Sequence, residues 1–256
     1  MDINKFEKIN KNEYKLFLSN GNEITLYDDV ILKYDLLITR KISANDITKI
    51  LDENDEKKAY YLALKKINRK MQTEYEIRSY LESKDINVRI IDSVINELKT
   101  QNYLNDNLYT ETFIKDSINL SNNGPLKIKN ALIKKGIKLS VIDEHLSKID
   151  NKTWIQRTRK LIEKKASTSR DSKYVFKAKM SRNLNTLGYL SEHFTCNFDN
   201  IKINTKNNFK EKATKEWTKL SKKYKDKELL YKFRNSMYQK GFSTDDINSF
   251  LDNIIL

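Results

Sequence analysis

Three stretches of this 256-residue chain carry apolar side chains at the same unequal intervals, and few folds satisfy those intervals. Ile77, Leu81, Ile86, Ile91 and Ile95 are spaced 4, 5, 5 and 4, and the pattern returns at Ile128, Leu132, Ile137, Ile142 and Leu146 and at Phe233, Met237, Phe242, Ile247 and Leu251. A step of four keeps two side chains on one helical face, whereas a step of five interrupts that face. Each copy therefore reads as a helix, a tight turn and a second helix. Gly136 and Gly241 stand where a helix C-terminus takes a left-handed residue, and Asp85 holds the same place in the other copy. Lys84, Lys135 and Lys240 precede the turns and suit the negative end of a helix dipole. A further helix is expected before each pair, over about 55–70, 106–120, 152–165 and 208–223, which makes three-helix units of about 45 to 55 residues. A fourth copy around Phe176, Met180, Leu184 and Tyr189 departs from the spacing and lacks a turn glycine in register. Stacked units bury faces that none can bury alone, so the expected fold is mainly α, tandem three-helix repeats forming an elongated curved rod.

The N-terminus reads differently. Tyr14–Leu18 and Glu23–Tyr27 are β-prone runs joined through Asn20-Gly21, a pair that tolerates the positive φ of a hairpin turn. A hairpin alone is marginal in water, so its apolar face is expected to pack on Val30–Ile38. After Ser43, whose hydroxyl pairs with Asp46 as a helix start, the chain reads as helical. Thr73 with Glu76 forms a second start signal, and Gly124-Pro125 a third, with Pro at a first helical position. Five Gly and one Pro in the whole chain are too few for the turns of a β-sandwich, which keeps strands to the first forty or so residues. The domain reading is a β-containing head at 1–42, a first module with its lead-in helix at 43–101, and modules at 102–150, 151–207 and 208–256.

Several classes of chemistry lack their residues. The glycines are too dispersed for a phosphate-cradling loop, and no nucleophile elbow, metalloprotease helix or calcium loop is present. With His145, His193 and Cys196 as the only His and Cys, no zinc set can be assembled. The two histidines read as packing or exposed side chains, Cys196 as a small buried hydrophobe, and Asp28-Asp29 as a turn or helix cap. No catalytic residue, metal or cofactor is therefore expected, and the chain does not read as an enzyme. The N-terminus lacks the basic and apolar regions of a signal peptide, and no apolar run is long enough to span a bilayer, so a cytoplasmic protein without membrane contact is expected.

Charge carries the remaining signal. The net charge is +14, and residues 151–207 hold thirteen Lys and Arg against four Asp and Glu, whereas residues 1–54 are slightly acidic. A local excess of that size points to a polyanionic partner, nucleic acid or an acidic protein surface. The candidate contacts are Arg157, Arg159, Lys160, Lys164, Lys165, Arg170, Lys173, Lys177, Lys179 and Arg182, with Trp154 and Tyr174 interleaved as rings on which an unpaired base could stack. Lys127, Lys129, Lys134, Lys135 and Lys138 form a second, smaller group.

The modules also resemble a known family, the RecX regulators of the RecA recombinase. The resemblance runs from about Ala59 to Leu146 and again over Leu229–Leu256. It rests on Ala63-Leu64, on Thr73, Glu76, Ile77 and Leu81, on Tyr103-Leu104-Asn105-Asp106 with Tyr109 and Phe113, and on Gly124-Pro125 through Ile128, Leu132 and Lys135-Gly136-Ile137. Asp85 and Asn102 stand where the family commonly has Gly, and Thr110 where Ala is usual. Asn and Asp tolerate a left-handed conformation better than other non-glycine residues. The head and the extra C-terminal repeats resemble the long form found in low-GC Gram-positive bacteria. The resemblance implies a monomeric, non-enzymatic negative regulator of recombination, DNA repair and the SOS response. Its implied partners are the RecA filament, single-stranded DNA and, further, double-stranded DNA. Charge alone leaves open a stand-alone nucleic-acid-binding helical repeat protein, or an adaptor that binds an acidic protein surface.

Overall fold

The computed structural model describes residues 1–169, 171–199 and 205–255, the side chains of 205–208 and 255 excepted. Strands β1 (Ile3–Lys8), β2 (Glu13–Leu18) and β3 (Glu23–Tyr27) open the chain. Then come α1 (Asp28–Lys33), α2 (Leu36–Thr39), α3 (Ile47–Ile67), α4 (Glu74–Glu82), α5 (Val88–Thr100), α6 (Asp106–Leu120), α7 (Pro125–Lys134) and α8 (Leu139–Ser147). The rest is α9 (Asn151–Ala166), α10 (Lys173–Thr186), two 3₁₀ turns (Ser191–His193 and Thr195–Phe198), α11 (Thr205–Ser221), α12 (Asp226–Gln239) and α13 (Thr244–Ile255). The chain divides into two compact units, Met1–Phe113 with Leu132–Val141, and Ile114–Ala131 with Ile142–Leu256.

In the first unit the strands form an antiparallel sheet in the order β1-β2-β3, with Tyr14 opposite Leu26 and Leu16 opposite Ile24. The expected hairpin is β2–β3. Strand β1 lies outside the expected hairpin; Ile3 is its one fully buried side chain, Phe6 is half-buried, and the rest is polar. Leu16, Leu18 and Leu26 pack with Val30, Ile31 and Leu36, as a lone hairpin requires. Helix α3 serves two cores: Ile50 and Asn54 face the sheet, while Ala59 and Ala63 pack with Ile77, Leu81, Ile91 and Ile95. The Asn54 side chain accepts from the Tyr27 amide at 2.8 Å and donates to the Thr25 carbonyl at 3.1 Å, fastening α3 to the exposed edge of β3.

The repeat positions are the core. Of the fifteen residues in the three spaced sets, all are buried except Ile86 and Leu146, which are half-buried. The interval of five is a helix ending in which a left-handed residue lets the next amide reach back five positions. Ile86 donates to the Leu81 carbonyl at 3.3 Å, Ile137 to Leu132 at 3.2 Å and Phe242 to Met237 at 3.3 Å. Asp85 takes φ +57° at this place and Asn102 takes φ +59° before Tyr103, so both non-glycine departures keep the left-handed turn.

The fourth copy is corrected by the structure. Its register begins at Met180, not Phe176: Met180, Leu184, Tyr189, Phe194 and Phe198 are spaced 4, 5, 5 and 4 and all are buried. Gly188, at φ +86°, is the turn glycine in register, and Tyr189 donates to the Leu184 carbonyl at 3.0 Å. What differs is the second helix, replaced by the two 3₁₀ turns. They are held to α9 by Thr158, whose hydroxyl donates to the His193 carbonyl at 2.5 Å, and by Asn197, which donates to the Ile155 carbonyl at 2.9 Å. Cys196 is exposed here rather than buried, because Phe194 and Phe198 take the inward positions on either side of it.

The three glycine turns, at Gly136, Gly188 and Gly241, each also receive the start of a helix from the preceding module. Within the first unit the Thr73 hydroxyl at the N-terminus of α4 donates to the Lys135 carbonyl at 2.7 Å. Within the second unit the Gly124 amide donates to the Leu187 carbonyl at 2.7 Å, and the Ser172 hydroxyl to the Lys240 carbonyl at 2.7 Å. At the middle joint a Cβ on Gly188 would lie 2.4 Å from the Lys127 backbone nitrogen. Gly188→Ala thus combines a left-handed backbone with a backbone clash and is expected to cost more than about 2 kcal/mol. Gly21→Ala, at φ +84° but with open space around it, is expected to cost about 1 kcal/mol. Urea denaturation of the two variants checks this; equal losses would show that the joint is not closely packed.

Candidate nucleic-acid interface

The basic cluster divides once its partners are visible. Arg157 is half-buried, and its guanidinium donates to the Ile118 carbonyl, to Ser121 at 2.7 Å and to Asn123 at 3.4 Å, while Nε reaches the Tyr189 hydroxyl at 3.2 Å. These carbonyls end α6 or follow it, so Arg157 closes a helix C-terminus and its donors are consumed within the fold. Trp154, only 4% exposed, packs against Tyr189 and His193. The sequence placed both at the interface, and the structure places both inside the second unit.

Arg159 pairs with Glu163 at 2.8 Å and Lys179 with Asp171 at 2.8 Å, each exposed and partly neutralised. Arg182 is exposed and reaches no further than the Ala178 carbonyl of its own helix, at 3.4 Å. Arg170 lies outside the described residues. In contrast Lys160, Lys164 and Lys165 on α9 and Lys173 and Lys177 on α10 are exposed and pair with no carboxylate among the described residues. Lys160 with Lys164, and Lys173 with Lys177, share a face through their separation of four. Tyr174, between the last two, is 74% exposed and keeps its ring face available.

The smaller group divides in the same way. Lys135 is half-buried, pairs with Glu76 at 2.7 Å and lies 5.5 Å from the Tyr109 ring centroid. Burial would raise the Glu76 carboxyl, but its hydrogen bonds from Lys135 and the Thr73 amide outweigh that and hold it below the usual carboxylate range. Lys135 therefore belongs to the first joint. Lys129 pairs with Asp143 at 2.5 Å, while Lys127, Lys134 and Lys138 remain exposed without a carboxylate partner among the described residues. A basic strip at the end of α11 and just beyond it, with Lys219, Lys222 and Lys223 lining one shallow pocket, is not marked in the sequence because acidic residues intersperse the segment and dilute its net charge. Among the described residues no three His, Cys, Asp or Glu gather as metal ligands, and no helix is long and apolar enough to cross a membrane.

Two outcomes follow from this division. Arg157→Ala is expected to lower stability by about 2 to 3 kcal/mol, because charged hydrogen bonds to half-buried carbonyls are lost, whereas Lys164→Ala stays within about 0.5 kcal/mol. Similar losses in urea titrations of both variants would contradict the assignment. His193 is buried, accepts from the Leu190 amide at Nδ1 (3.1 Å), and burial holds its imidazole below the ordinary value. The unfolded chain takes up this proton near pH ~6.5 and the folded chain only at lower pH, so stability is expected to fall as pH drops through about 6.5. His193→Gln should flatten that slope; an unchanged slope would assign it to other groups.

Comparison with known proteins agrees with this architecture. Residues 59–98 match the family model described as RecX, first three-helix domain. The chain is 30% identical to a Regulatory protein RecX of Halalkalibacterium halodurans, with 96% of this chain and 97% of the relative covered. It is 32% identical to one from Lactococcus lactis over 94% of each chain. A crystal structure of regulatory protein RecX shares the fold with a TM-score of 0.65, covering 77% of this chain and 98% of that one at 24% identity. RecX from Lactobacillus salivarius superimposes with a TM-score of 0.55 at 29% identity, over 57% of this chain and 96% of that one. With 30 to 32% identity to these relatives over nearly the full length of both chains, and the first three-helix domain matched, this chain belongs to the RecX family of regulatory proteins.

Proposed function

We propose that this protein regulates homologous recombination by binding the recombinase filament on single-stranded DNA and limiting its growth, ATPase and strand exchange. The observation that carries the reading is the set of five exposed lysines on α9 and α10, Lys160, Lys164, Lys165, Lys173 and Lys177, held without carboxylate partners among the described residues. Uncompensated cations repel one another, and phosphates relieve that repulsion. RecX family membership directs the reading to the recombinase filament rather than to nucleic acid in general.

Tandem modules suit a partner built from identical protomers. Several weak contacts tethered on one chain gain from effective concentration, so none needs to be strong. Such a ligand shifts the filament between states only by its difference in affinity for them. Action at an end requires few molecules, while occupancy along the filament requires amounts proportional to its length.

The test is a titration of the cognate recombinase's DNA-dependent ATPase, on preformed and on growing filaments. The wild-type protein is expected to inhibit well below one molecule per recombinase subunit. Its own affinity for single-stranded DNA should fall with log salt at a slope near −3, at about −0.7 for each of four phosphates. Replacing Lys160, Lys164, Lys173 and Lys177 together by Glu should abolish both effects with the circular dichroism spectrum unchanged. Equal inhibition by an unrelated DNA binder of the same charge would reduce the effect to competition for DNA and refute the recombinase reading.

A further inference from the structure

The joint between α10 and the α12–α13 turn encloses an open cleft of about 1050 Å³, at the upper end of the size that small-ligand sites occupy. Tyr174 and Tyr238 line it, with Lys173, Lys177, Gln239 and Asp246. The joint itself fixes the walls. Ser172 is anchored to the Lys240 carbonyl, and the first turn of α10 lies so close to the opposing turn that a Cβ on Gly241 would be 3.2 Å from that of Tyr174. Tyr174 is thus held by the backbone of α10, yet its ring is 74% exposed, and Tyr238 on the last turn of α12 is 68% exposed. Two large rings left in water on rigid supports recover free energy when a flat apolar partner covers them. Lys173 and Lys177 bring positive charge to the same cleft, while the one acidic lining group, Asp246, accepts from the Ser243 hydroxyl at 2.5 Å within its own helix start.

The equivalent joint of the first unit is a useful contrast. Tyr75 stands there at the position of Tyr174, 53% exposed, but Glu74 replaces Lys173 and Ile133 replaces Tyr238. An exposed ring thus recurs at two of the three joints, with Leu126 in its place at the middle one, and Arg78 at the position of Lys177 pairs with Asp92 at 2.7 Å, whereas a second exposed ring is particular to the α10 cleft.

We propose that this cleft is a stacking site for an unpaired base of single-stranded DNA, with Tyr174 and Tyr238 covering the base and Lys173 and Lys177 holding the flanking phosphates. The inference rests on the DNA contact proposed above and adds where a base sits. Stacking is tolerant of sequence because every base has a π face. An acidic peptide would satisfy the lysines but leave the rings in water, so DNA uses more of what the cleft offers.

Fluorescence anisotropy of the full chain with a labelled oligothymidine and with an abasic strand of equal length tests this. The wild-type protein is expected to prefer the oligothymidine. Tyr174→Leu with Tyr238→Leu should lower that affinity about ten- to hundredfold, toward the abasic value, while the paired Tyr→Phe variant retains it. If the Leu pair binds oligothymidine as the wild type does while lysine reversal abolishes binding, the DNA contact stands and the stacking site falls. If the wild type binds neither strand, both readings fail. Normal binding of both strands by the Leu pair with loss of filament recruitment would mean that the cleft takes a protein segment, which also overturns the proposal.

Discussion

The contact on which this structure depends is a left-handed helix ending that receives the first turn of a helix from the preceding module. It recurs at Gly136, Gly188 and Gly241, each time with a hydrogen bond to the carbonyl just before the glycine. A helix ending exposes carbonyls and a helix start exposes amides and a capping side chain, so placing one on the other satisfies both sets of polar groups with little side-chain bulk between them. The same geometry explains the interval of five in the apolar pattern. That interval is the distance the chain travels through the turn before its next side chain points into the core again.

This is why much of the fold was legible in the sequence. The turn constrains residue type at one position and apolar character at five, and such constraints survive in a single chain. The copy at 180–198 is masked in the sequence because Phe176, a buried residue of the same helix, stands one turn before Met180 and mimics the start of the pattern. Shifting the start to Met180 restores the spacing and puts Gly188 in place. The substitution of 3₁₀ turns for a helix there leaves no periodic mark, since its polar fasteners, Thr158 and Asn197, are unremarkable in sequence. Strand β1 escaped for a similar reason, with one fully buried side chain to announce it.

The proposed interface is legible in the sequence as a region but not residue by residue. Net charge located the basic segment, yet a cation's role depends on what lies across from it. Arg157 finds three carbonyls 34 to 39 residues away in sequence, and Lys135 finds Glu76 at a separation of 59. No local pattern encodes such distances. Once those residues are assigned to the scaffold, five of the remaining exposed lysines lie on α9 and α10, and two of them, Lys173 and Lys177, line the cleft with Tyr174 and Tyr238. The scaffold thus consumes some cations to hold its helices and leaves others unneutralised, and the proposed DNA contact is drawn from the second set.

Lysine acylation footprinting of the full chain, with and without recombinase filaments on single-stranded DNA, measures that division directly. In the free protein Lys160, Lys164, Lys165, Lys173 and Lys177 should react readily while Lys135, held by Glu76, reacts slowly. Filament should protect the five and leave Lys5 in the head as reactive as before. Protection spread evenly over exposed lysines, or confined to the head, would contradict the account.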